Sequence, residues 1–226
     1  MITHRVLLLA FPLLLFVASA PALAHHSGDH ASEEALINAV RAADSERVAE
    51  LLDDGVTADA ALYSGEHEDK SALMWAAEAG ELELVNALLD AGASVDARNA
   101  KGGTALMYAA VHGHALTAER LIEAGADPNH TVRHGWNPVL LAAAKSHEET
   151  VTLLVEHGAD HEARDVYGWT PLMRAAERGD RDMVRTLLDL GADAEAEDSA
   201  GNSVETIARR NGSDDVVSLL RRAQRG

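Results

Sequence analysis

Hydrophobic and polar positions along the chain fall into a recurring block. From Ser71, SALMWAAEAGELELVNALLDAGA places Leu73, Ala76 and Ala77 at helical spacing, then Gly80, then Val85, Leu88 and Leu89 at helical spacing again. TALMYAAVHGHALTAERLIEAGA from Thr104, NPVLLAAAKSHEETVTLLVEHGA from Asn137 and TPLMRAAERGDRDMVRTLLDLGA from Thr170 repeat the pattern, each starting 33 residues after the one before. A degenerate copy, SVETIARRNGSDDVVSLLRRA, starts at Ser203, and a looser one, EALINAVRAADSERVAELLDDGV, at Glu34. That first copy stands 37 residues ahead of Ser71, so an enlarged connection carrying Tyr63 runs from Thr57 to Lys70. Two short helices per block are predicted, with blocks starting near residues 34, 71, 104, 137, 170 and 203.

The punctuation agrees with the pattern. Ser71, Thr104, Asn137, Thr170 and Ser203 each stand where a first helix begins, and their side chains suit capping of free backbone N–H groups. Pro138 and Pro171 occupy the first helical turn, where a missing N–H costs nothing. Gly80, Gly113, Gly179 and Gly212 separate the two helices of a block, while Ser146 stands at that position in the fourth block and is expected to distort the turn. A single block cannot bury its apolar faces, so the blocks must stack. In the last one, Glu205, Arg209, Arg210, Arg221 and Arg222 read as a polar cap on the end of the stack.

Period, caps, glycines and apolar spacing together resemble the ankyrin repeat over residues 34 to 224. The resemblance implies an all-α solenoid of helix-turn-helix units with projecting β-turn fingers, about four full repeats and degenerate copies at both ends. It also implies a concave face, lined by fingers and first helices, that grips protein partners. One departure concerns the family's Thr-Pro-Leu-His opening: Met74, Met107, Leu140 and Met173 stand where its histidine belongs, exchanging a hydrogen bond for packing.

Composition refines the picture. Aromatics are only 4% of the chain, and those beyond residue 24 avoid the second-helix core positions. Trp75 and Tyr108 hold equivalent places on successive first helices, with Leu141 and Arg174 continuing the row; Trp136 and Trp169 each precede a cap, and Tyr167 and His134 share a finger position. These residues, Trp75, Tyr108, His134, Trp136, Tyr167, Trp169 and Arg174, are the candidate partner-binding set, since Trp, Tyr and Arg concentrate interface energy. The competing reading has the tryptophans bracing neighbouring fingers at their stems.

The net charge of −18 opposes binding to phosphate backbones and, taken over the whole chain, favours a partner with basic groups. There are no cysteines, which removes disulfides and thiolate sites. No Gly-x-Ser-x-Gly elbow, phosphate-binding glycine loop or His-Glu-x-x-His pair is present, so neither a catalytic centre nor a cofactor is predicted. His4 and Arg5, the apolar run from Val6 to Ala20 and the Ala22-Leu23-Ala24 site read as a bacterial signal peptide over residues 1–24, cleaved or kept as an anchor. Export to the periplasm, or secretion as second choice, would leave a monomer free of the membrane, with a flexible tail over residues 25–33. His25, His26 and His30 in that tail suit copper, nickel or zinc, and a metal-handling protein is the alternative reading. Among the partners the fold implies is an enzyme that the protein stabilises or inhibits, such as a toxin held by an immunity protein.

Overall fold

The computed structural model of the chain describes residues 27–61 and 69–225, with side chains from His30 onward. The expected signal segment, His25, His26 and Tyr63 lie outside the described residues. Twelve α-helices follow one another in pairs among those residues: α1 (Ser27–Arg41) with α2 (Ser45–Asp53), α3 (Ala72–Ala79) with α4 (Leu82–Asp90), α5 (Ala105–His112) with α6 (Ala115–Glu123), α7 (Pro138–Ala144) with α8 (Glu148–Glu156), α9 (Pro171–Arg178) with α10 (Arg181–Asp189), and α11 (Val204–Arg210) with α12 (Asp214–Ala223). The fold is the expected all-α repeat solenoid. Residues 27–33, expected as a tail, are instead the first turns of α1.

Odd-numbered helices pack on odd-numbered neighbours and even on even, from α1 to α11 and from α2 to α12, so the chain forms two helical layers. The alanines predicted from the pattern make this possible. Ala76, Ala77, Ala109, Ala110, Ala142, Ala143, Ala175 and Ala176 are all fully buried, so the first helices approach without intervening bulk. Met74, Met107, Leu140 and Met173 are buried beside them, as expected of side chains that replace a polar device by packing.

Capping holds at four of the five predicted positions. Backbone N–H groups of Met74, Leu140, Met173 and Thr206 donate to the side-chain oxygens of Ser71, Asn137, Thr170 and Ser203 at 2.9–3.3 Å. Thr104 departs from the rule: its backbone takes the cap conformation, but its buried hydroxyl finds no hydrogen-bond partner among the described residues.

The turn between paired helices shows how adjacent repeats lock. His114 lies across Gly80 of the preceding repeat, with Nε2 donating to the Glu78 carbonyl at 3.0 Å. His147 lies across Gly113 in the same way and donates to the Val111 carbonyl at 3.1 Å. Ser146 does not distort its turn, contrary to expectation. It takes φ 64°, next to 73° and 76° at Gly80 and Gly113, and the closing bond from His147 N to Ala142 O, 3.1 Å, matches the 3.0 Å bond from His114 N to Ala109 O. The residue that would cover it at the shared register is Asp180, which has no ring and instead caps its own helix by accepting from Met183 N.

Candidate partner-binding face

Four fingers connect the repeats beyond α4, and each is closed by the same pair of backbone bonds. Asn99, Val132, Asp165 and Asp198 donate N–H groups to the carbonyls of Gly103, Trp136, Trp169 and Asn202. Their own carbonyls accept from Gly102, Gly135, Gly168 and Gly201. Three of the four openers are Asn or Asp, and their side-chain oxygens accept from N–H groups two and four residues on, which rigidifies the tip. Val132 cannot do this, and its finger takes a 3₁₀ turn at Arg133–Gly135 with His134 at φ 67°. The fingers also bond to one another, Val166 N to His134 O at 3.0 Å and Ser199 N to Tyr167 O at 2.9 Å.

The predicted set divides into two clusters on this face. In the first, the Trp75 ring lies between the Arg41 guanidinium, 4.9 Å from its centroid, and the Lys70 ammonium at 4.5 Å. Lys70 also sits 4.4 Å from the Tyr108 ring and 2.7 Å from a Glu78 oxygen. Asn99 Nδ2 donates to the Tyr108 hydroxyl at 2.8 Å, tying first helix to finger. In the second cluster, the Arg174 guanidinium is stacked between Trp136 at 4.9 Å and Trp169 at 4.5 Å. Arg174 pairs with Asp165, whose side chain is 1% exposed and whose other oxygen accepts from the N–H groups of Tyr167 and Trp169.

Cation–π stacking of this kind fixes ring orientation as well as adding attraction. Trp75, Tyr108, Trp136 and Trp169 are half-buried in these clusters and offer part of each ring outward. Tyr167 is 63% exposed and Val166 57%, and His134 is exposed at the matching position of the finger before. A concavity of about 500 Å³ opens beside Tyr167, lined by Trp169, Arg174, Glu177 and Ser199. A smaller apolar recess of about 200 Å³ lies between the clusters, walled by Met107, Tyr108, Val111, Val132 and Leu141. Sequence reasoning missed Arg41, Lys70, Asn99 and Asp165. The recurrence of Asn or Asp three residues before a finger glycine, at 99, 165 and 198, was the available signal for two of them.

Charge is unevenly shared. The second helices α2, α4, α6, α8 and α10 carry twelve Asp and Glu against four Arg, whereas the first helices α3, α5, α7 and α9 carry two of each sign. The acidic excess therefore lies on the outer layer, away from the clusters. His30 sits on α1, its Nδ1 3.7 Å from a Glu33 oxygen. No helix among the described residues is long and apolar enough to cross a membrane.

Stacked helix pairs joined by bonded β-turn fingers define a repeat scaffold that presents a continuous face. A family model described as ankyrin repeats in three copies matches overlapping stretches at residues 13–99, 36–132, 73–165, 106–198 and 165–225, and the chain belongs to the ankyrin-repeat family. A search of curated proteins returned no significant match.

Proposed function

We propose that this chain is a non-catalytic binding module that holds a protein partner on its finger and first-helix face after export to the periplasm. Ankyrin repeats are protein–protein interaction modules, and the reading rests on one observation above the rest. Tyr167 and Val166 stand exposed at the tip of a finger whose base is fixed by the Trp136–Arg174–Trp169 stack and the buried Asp165 carboxylate. An exposed aromatic on a preorganised support loses little freedom on binding and so makes an efficient anchor.

Capture from periplasmic extract tests this. Tyr167→Ala should lose the captured partner while keeping the parent melting temperature, because the ring makes little contact within the fold. Equal recovery by parent and variant would remove this face from the function. The tryptophans are poorer probes, since each also supports a finger.

A further inference from the structure

We infer that the partner segment seated on the finger face is acidic, with an aliphatic residue flanked by carboxylates. The inference rests on the proposed use of this face and concerns the chemistry of what it receives. It runs against the net charge of the chain, which alone would favour a basic partner.

Two populations of cation occupy the face. Arg41 stacks on Trp75, Lys70 lies against Trp75 and Tyr108, and Arg174 against Trp136 and Trp169. Lys70 and Arg174 are also paired with carboxylates, so these cations serve the fold. Arg98, Arg133, Lys145 and Arg178 are different. All four are exposed, and none forms an ion pair with a described residue. Arg98 and Arg133 belong to successive fingers, while Lys145 and Arg178 stand at equivalent places at the ends of α7 and α9. Lys145 and Arg178 share the register of His112, which approaches Glu78 of the first cluster, so this row lies on the same face as the aromatics.

The apolar recess sits among these cations. Lys101 lines it directly, Arg133 follows its wall residue Val132 and Lys145 follows Leu141 by one helical turn, while Arg98 lines the neighbouring concavity beside Asp59 and Asp69. At about 200 Å³ the recess accepts an aliphatic side chain but not a folded surface, which fits an extended segment. The acidic last finger, with Glu195, Glu197 and Asp198, bounds the cationic stretch, and the acidic outer helices repel the same segment. Such a segment is therefore attracted to one face only and is oriented before contact.

Fluorescence anisotropy with three labelled synthetic twelve-residue peptides tests the inference. Each has a central leucine, flanked by glutamates, by serines or by lysines. The glutamate peptide should bind at least tenfold tighter than the serine peptide, weaken as salt is added, and leave the lysine peptide weakest. Arg133→Glu with Lys145→Glu should cost at least tenfold for the glutamate peptide, whereas Arg185→Glu on the outer helix α10 should change it less than twofold. Circular dichroism melts of both variants confirm that they fold.

Tighter binding of the lysine peptide, an unaltered affinity in the Arg133→Glu, Lys145→Glu variant, or absence of glutamate-peptide binding at millimolar concentration would each overturn the inference. So would a twelve-residue oligothymidine binding tighter than the glutamate peptide, since the face would then recognise phosphate. A captured partner that depends on Tyr167 but contacts the face through basic residues would sink the acidic-segment inference while leaving the binding face intact.

Discussion

Adding one methyl group at Gly113 tests how the repeats are locked together. A Cβ built there would lie 2.5 Å from His147 Nδ1, closer than real contacts allow, and the backbone stands at φ 76°. Two costs follow. An L-residue in the left-handed region loses about 1 kcal/mol relative to glycine. Displacing the imidazole breaks its bond to the Val111 carbonyl, which costs about 1 kcal/mol more. Gly125 supplies the comparison, because it has φ 98° but nothing within 4 Å of the added carbon. Urea unfolding should therefore show Gly113→Ala about 2 kcal/mol less stable than the parent, and Gly125→Ala only about 1. In a His147→Ala background the steric share should vanish, bringing Gly113→Ala down to the cost of Gly125→Ala. Equal losses at the two glycines in the parent background, or an undiminished loss without the imidazole, would refute the lock. The chain already contains the natural control: Ser146 occupies the same left-handed position where the next repeat presents Asp180 in place of a histidine.

Arg174→Met should destabilise by about 3 kcal/mol in urea unfolding, because Asp165 is left as a buried carboxylate with no cation; adding Asp165→Asn should recover most of that, as Asn99 opens its finger without a charge. The Asp198 carboxyl is held below the usual carboxylate range, first by the Asn202 side chain and then by backbone N–H groups. Its folded value is depressed, so its stabilisation is complete above the ordinary aspartate value near about 3.9 and disappears as pH falls through the lower folded value. The stability gap between the parent and Asp198→Asn should accordingly shrink on acidification, and a gap constant between neutral and strongly acidic pH would show that the charge contributes nothing.

The repeat was legible because its signals recur at one interval. Caps, glycines and apolar positions each point to the same register, and a solenoid needs little else. What could not be read depends on pairs of residues one period apart. Ser146 appeared as a flaw only because its tolerance is decided by Asp180. Thr104 matches Thr170 in the pattern, yet only Thr170 accepts the capping bond. The start of α1 at Ser27 was hidden because SGDHASEE lacks the apolar periodicity of the later blocks. At the candidate face, the aromatic row was visible, but the cations stacked on it were not. Lys70 comes from the enlarged connection and Arg174 was read as a contact residue, whereas the fold uses both to hold rings in place.

The distribution of charge separates what the fold needs from what it carries. Asp53, Asp90, Glu123, Glu156 and Asp189 are the last residues of α2, α4, α6, α8 and α10, and all five are exposed. The end of a helix favours cations, so each carboxylate opposes its own helix dipole. Equivalent positions on neighbouring repeats also set these like charges along one column, with Arg120 relieving Asp90 at 3.5 Å. Folding gains nothing from that arrangement. On the finger face two rows avoid it: Trp75, Tyr108, Leu141 and Arg174 contain one charge, and Arg98, Thr131, Arg164 and Glu197 never place like charges in adjacent repeats. Lys145 and Arg178, by contrast, set two cations in adjacent repeats there. Salt therefore acts in opposite senses on the two layers. It screens the repulsive outer column and strengthens the fold, and it weakens attraction between the exposed cations and an acidic segment. A contact that weakens with salt while the melting temperature rises is thus driven by the face and not by the state of the scaffold beneath it.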